Sequence, residues 1–178
     1  GSSFYEGTED FYTKEVNFLM DFDGDGFVGE KTKIESTGSV SLWEDSSGKA
    51  YAKSSSSEYI KIKVGDTPVG NKTWDGWSVI AAEKISGKNS AIWKNSSLGI
   101  YQIWTCDSEW NYQSGSSFYE GTEDFYTKEV NFSKDFNGDG FVGEPLTKIE
   151  STGSVSLWED SSDKAYAKSS SSEYIKIK

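Results

Sequence analysis

A mainly β fold is predicted: an antiparallel sheet with one helix per unit, the helix leading into an EF-hand-like calcium loop, and the whole repeated in tandem. Three observations predict it. Short segments alternate apolar and polar residues at period two between Gly, Ser, Asn and Asp turns. One segment departs from that period to helical spacing immediately before an aspartate-rich loop. Residues 1–63 recur almost letter for letter at 115–178.

In chain order, residues 4–18 and their twin 118–132 come first. Phe4, Thr8, Phe11, Tyr12, Glu15, Val16 and Leu19 share one helical face, and Ser3 supplies an N-cap, although Gly7 weakens the pattern. Strands are expected at 32–35, 39–43, 50–53, 58–64, 77–85, 90–94 and 98–106. Within them Trp77, Trp93 and Trp104 have apolar neighbours at period two and read as core. Cys106, the single cysteine, lies in the apolar run from Ile100 and reads as a buried packing residue.

The repeat sets the organisation. Its offset grows by one where Pro145-Leu146 replaces Lys31, and Leu19, Met20, Asp23 and Gly48 become Ser133, Lys134, Asn137 and Asp163. A unique stretch, 64–114, separates the copies, so the period is about 115 residues. With the boundary placed after each aspartate loop, at Gly29 and Gly143, residues 1–31 are the tail of a preceding unit, 32–143 one intact unit, and 144–178 the head of a following unit. The chain then reads as an excerpt from an array whose units contact mainly their neighbours. A simple two-copy duplication is the alternative.

Composition narrows the chemistry. Acidic residues outnumber basic ones 29 to 18, giving a net charge of −11, with no arginine and no histidine. Nucleic-acid recognition leans on arginine and a positive face, so nucleic acid is not an expected partner. No apolar run approaches the roughly 18 residues of a membrane span, so no membrane insertion is expected. Without histidine the commonest general base and most nucleophile-activating triads are gone, and the chain is not read as an enzyme. Paired carboxylates alone can hydrolyse glycosides, but no pair stands apart from the aspartate loops.

Those loops carry the most specific local signal. Asp21-Phe22-Asp23-Gly24-Asp25-Gly26-Phe27-Val28-Gly29 recurs as Asp135-Phe136-Asn137-Gly138-Asp139-Gly140-Phe141-Val142-Gly143. Side-chain oxygens at loop positions 1, 3 and 5, glycine at 6 and a backbone carbonyl at 7 (Phe27, Phe141) form the front half of a calcium loop. Position 12 is Thr32 or Leu146, where a bidentate glutamate is expected. Glu15 and Glu129, six residues before the first aspartate, are the replacements, with Glu30 and Glu144 as weaker ones. Asn137 removes a charge, so the second loop should bind calcium more weakly.

Around these motifs the chain resembles a known family. The residues are Ile34-Glu35-Ser36-Thr37-Gly38 with Leu42, Trp74-Asp75-Gly76-Trp77-Ser78-Val79-Ile80-Ala81-Ala82-Glu83, Ile92-Trp93-Lys94, Tyr101-Gln102-Ile103-Trp104, Asp107, Glu129, Phe132, the second aspartate loop and Gly143. Together they are similar to the tryptophan-rich C-terminal domain of cyanobacterial secreted proteins. The resemblance implies an extracellular or cell-surface setting, often within large repeat proteins beside other calcium-binding modules, and it does not imply an assigned activity. Ser108-Glu109-Trp110-Asn111 departs from the glycine-containing turn usual there.

Two functional expectations follow. The first is a calcium-stabilised structural repeat of a surface adhesin or fibre, with neighbouring repeat units as partners and the segment 59–63 available to pair across a junction. The second is a calcium-dependent carbohydrate-binding module, with Trp74 and Trp110, both in polar turns, stacking on glycans. Asn71-Lys72-Thr73 and Asn95-Ser96-Ser97 are weak glycosylation signals at Asn71 and Asn95. The serine runs 54–57 and 169–172 read as turns.

Overall fold

Period-two segments become strands because their alternate side chains can be buried on one side while the backbone is satisfied by its neighbours. The computed structural model describes residues 3, 5–55, 58–160, 164–169 and 174–177. Phe4 and parts of both serine runs therefore lie outside the described residues.

The first sheet is antiparallel, in the order β1 (Lys31–Glu35), β2 (Val40–Asp45), β3 (Ala50–Ser54), β4 (Ile60–Lys61). A small ribbon follows, β5 (Lys63–Val64) with β6 (Thr67–Pro68). The expected strand at 58–64 is thus split: Ile62 leaves the sheet edge, donates its N–H to the Ala50 carbonyl and sits fully buried. The central sheet is an antiparallel meander of β7 (Trp77–Ile85), β8 (Lys88–Asn95), β9 (Ile100–Cys106) and β10 (Tyr112–Tyr119). The last strands, β11 (Thr147–Glu150), β12 (Val155–Glu159), β13 (Ala165–Ser169) and β14 (Ile175–Lys176), repeat the first sheet in order and register.

Two short helices complete the described fold, α1 (Glu9–Phe18) and α2 (Glu123–Phe132). Both begin five residues later than expected. Gly7 and Gly121 adopt φ of +77° and +80°, which no right-handed helix contains. Thr8 and Thr122, not Ser3 and its twin, cap the helices, accepting the N–H of Phe11 and Phe125 at 3.3 and 3.2 Å. The residues ahead of α2 belong to β10, a strand absent from the sequence expectation because its inner half, Gln113 to Ser117, is polar and exposed.

The central sheet is covered on both faces. On one, Trp93, Trp104, Cys106, Val79 and Ala82 meet Val40, Leu42, Ala50 and Ala52 of the first sheet, with Ile62 and Val69. On the other, Ala81, Ile92, Tyr101 and Phe118 meet Phe125 and Phe132 of α2 and Phe136 of the loop beyond it. The rings interlock: Tyr101 stands edge-on to Phe125 at 5.0 Å, and Trp93 lies against Trp104 at 4.6 Å. Glu83, buried in β7, ties the sheets together by accepting the Ser39 N–H at 2.6 Å.

Cys106 packs inside the first core, where burial and then the Asp107 charge push its thiol up to about 12. At pH 8 it is therefore both sheltered and protonated. Native protein should leave a disulfide-exchange reagent such as DTNB unreacted, with labelling appearing only across the urea unfolding transition. Rapid labelling of the native chain would show that this core is open.

Candidate metal centre

Each aspartate loop is built from the helix end outward. The cap residues Leu19 and Ser133 turn into the left-handed region, and the N–H of the following residue returns to the Glu15 or Glu129 carbonyl at 3.0 Å. That turn brings the loop back over the helix. The Glu15 and Glu129 side chains then close it: Glu15 accepts the N–H of Phe22 at 2.7 Å and of Gly29 at 2.9 Å, and Glu129 those of Phe136 and Gly143 at 2.7 and 3.0 Å. Gly29 and Gly143 have φ of +77° and +94°, and a Cβ there would lie 2.7 and 2.8 Å from Cγ2 of Val16 and Val130. Only glycine lets the loop lie this close to its helix.

Inside the loop each aspartate organises the next turn. Asp21 accepts N–H groups from Gly24 at 2.6 Å and Gly26 at 2.9 Å, Asp23 from Asp25, and Asp25 from Phe27. Asp135, Asn137 and Asp139 repeat the pattern on Gly138, Gly140, Asp139 and Phe141. Carboxylate oxygens of Glu15, Asp21 and Asp23 lie within 4.8 Å of one another. Each accepting oxygen retains a lone pair, so the donor set is one of hard oxygens, suited to a hard divalent cation.

The charges bear on this. Among the described residues, no lysine ammonium lies within ion-pair distance of Glu15, Asp21, Asp23, Glu129, Asp135 or Asp139. Burial lifts the Glu129 carboxyl above its ordinary range, more than the Phe136 and Gly143 N–H groups lower it. Burial also raises Asp21, but the N–H groups of Gly26 and Gly24, with Asp23 and Asp25, bring it below that range. Burial raises Asp23, against the lowering by the Asp25 N–H, and the acidic Asp25, Asp21 and Glu15 side chains add to the rise. At the far side Lys31 holds Asp25 at 3.0 Å, a pairing removed in the second copy by Pro145-Leu146. There Asn137 donates to Glu120 at 3.0 Å, and Lys134, its pKa lowered by burial, feels Glu35 and Asp135.

The loops also reach the sheets that follow them. Phe27 is buried against Tyr51 at 4.3 Å and Tyr59 at 4.8 Å, and Phe141 meets Tyr174 at 6.4 Å. Asp45, which sequence reading missed, accepts the Tyr51 hydroxyl at 2.6 Å and the Val28 N–H at 3.3 Å. Burial and then this carboxylate raise the Tyr51 phenol. Asp160 receives Tyr166 in the same way at 2.9 Å. Its signal was the paired Glu-Asp before a Ser-rich turn, which reads as an ordinary turn.

The remaining candidates divide. Trp74 is 40% exposed and stands edge-on to Trp93 and Trp104. Trp110, expected at the surface, is 4% exposed in the first core, because its turn folds back to place its carbonyl on the Lys63 N–H. It is no surface stacking residue. Asn95 is also buried, its amide oxygen capping the turn at Ser97 and Leu98, so it does not present a glycan acceptor. Asn71 is half-buried and bridges Glu44 and the Val79 N–H at 3.0 and 2.7 Å.

Glu129→Gln should lower unfolding free energy in chelator by about 1–3 kcal/mol, because one buried backbone N–H loses its acceptor. Urea denaturation measures it. An unchanged midpoint would mean that the carboxylate does not hold the loop closed.

Comparison with known proteins gives one match. Residues 40–143 match the family model described as the tryptophan-rich Synechocystis species C-terminal domain. No curated protein and no solved structure matches. The matched span takes in the central sheet, β2–β4 of the first sheet, α2 and the second aspartate loop, and the chain belongs to this tryptophan-rich C-terminal domain family.

Proposed function

We propose that the chain is a calcium-stabilised structural repeat module of an extracellular adhesin or fibre, acting by assembly and not by catalysis. The observation that supports this most is the position of the loop between the packed central sheet and the last sheet, β11–β14. Phe136 enters the core beneath the central sheet while Phe141, five residues on, touches the next half-sheet at Tyr174. A cation held by Asp135, Asn137, Asp139, the Phe141 carbonyl and Glu129 would fix those two anchors relative to each other, and Asp21, Asp23, Asp25, the Phe27 carbonyl and Glu15 would do so in the first copy. Neutralising the buried Glu15 and Glu129 carboxylates and the aspartates beside them, of which only Asp25 has a lysine partner among the described residues, adds to the gain. Neighbouring repeat units are the natural partners in this reading. No helix among the described residues is long and apolar enough to cross a membrane.

Thermal unfolding with calcium and with chelator tests the proposal. Calcium at a hundredfold above its Kd should stabilise the native state by about 2.7 kcal/mol per site, and Asp21→Ala with Asp135→Ala should abolish the shift. An identical melting midpoint in calcium and chelator would leave the loops as metal-free turns.

A second reading, carbohydrate binding, rests on one cavity. Trp74, Trp77, Trp93, Gln102 and Trp104 line a space of about 290 Å³ open at the side of the central sheet. The buried indole N–H of Trp93 has no hydrogen-bond partner among the described residues. The open Trp74 face beside the Gln102 amide suits a sugar ring. A glycan array should give hits that weaken about tenfold or more in Trp74→Ala, and an array with no hits would remove this reading.

A further inference from the structure

The two near-identical copies are packed differently, and the difference identifies a partner. In the second copy Phe132 and Phe136 are buried under the central sheet; Phe132 is 2% exposed, whereas its twin Phe18 is 68% exposed, and Phe22 is also open. The half-sheets show the reverse. Val40 is 5% exposed and Leu42 fully buried against the central sheet, whereas Val155 is 47% exposed and Leu157 only partly covered. These residues, in equivalent elements and the same register, have a seat in one copy and none in the other, whereas Phe11 and its twin Phe125 are buried in both.

We infer that β11–β14 is an interaction surface whose partner is a second copy of the central sheet, docked through its Trp93 and Trp104 face as β1–β4 docks here. The outer face of α1 matches it at the opposite end, taking the Ile92 and Tyr101 face of another such sheet. Each helix–loop–half-sheet segment is then a clip shared by two central sheets. Self-exchange between copies of the present chain does not complete it. Every central sheet already holds one helix and one half-sheet, so exchange exposes as much surface as it covers. The partner is a central sheet presented with its tryptophan face open, as a further repeat would supply.

Two residues sharpen the match at α1. Leu19 and Met20 are exposed there, where the second copy has Ser133 and Lys134, and Lys134 lies near Glu35 of its own unit. The pair adds apolar area to the exposed end of α1.

This rests on the repeat-module reading but not on calcium, and amide hydrogen exchange separates the two. In the chain itself residues 155–169 should exchange faster than residues 40–54. A longer chain, with residues 64–142 appended again after Lys178, should slow 155–169 by on the order of a hundredfold, in chelator as in calcium. Leu157→Asp in the longer chain should restore fast exchange there and leave 40–54 unchanged. Unprotected 155–169 in the longer chain, or protection that survives Leu157→Asp, would overturn the inference. Failure of the calcium proposal would appear elsewhere, as an unchanged melting midpoint.

Discussion

A four-stranded sheet that is apolar on both faces sets the terms for the rest of the molecule. An antiparallel sheet commonly leaves one face to water. Here Trp93 and Trp104 on one side and Ile92 and Tyr101 on the other require two separate covers. Removing either cover would return several large aromatic side chains to solvent, each worth on the order of 2–3 kcal/mol in burial alone. The half-sheet and the helix supply those covers, and their amphipathic patterns have no other evident purpose. Even the clasp by Glu83, deep in β7, serves to keep the first sheet in place.

The aspartate loop is how the chain gets from one cover to the next. In the second copy α2 ends under the central sheet and β11 begins a separate sheet, with few residues to make the change. A loop that hydrogen-bonds to its own aspartates, to a buried helix glutamate and to Asp45 does this without long side chains. The arrangement gathers open and half-open aspartates beside one buried helix glutamate in each copy. The carboxylates that hold these turns are the same ones the proposed cation would use, through their remaining lone pairs.

Much of the fold and site was legible because its determinants are local. The Gly and Asx pattern of 21–29 dictates its turns through side-chain to backbone bonds only two to five residues long. Strand periodicity marked the central sheet for the same reason. Local signals failed where a polar stretch was recruited by a neighbour: β10 forms because β9 offers it a ladder, not because Gln113 to Ser117 favours strand. Asp45 was similarly illegible, since its partners Val28 and Tyr51 meet only when the loop lies on the sheet.

The sequence by itself determined the duplication, the acidity without histidine, the strand and helix types and the internal geometry of each aspartate loop, all of which depend on residues close together in the chain. Tertiary structure decided burial. It moved Trp110 into the core while leaving Trp74 outside, and it gave Phe18 and Phe132, the same residue in the same ten-residue helix, opposite environments. Exposure depends on what lies across the gap, and no local pattern encodes the presence of the opposing surface.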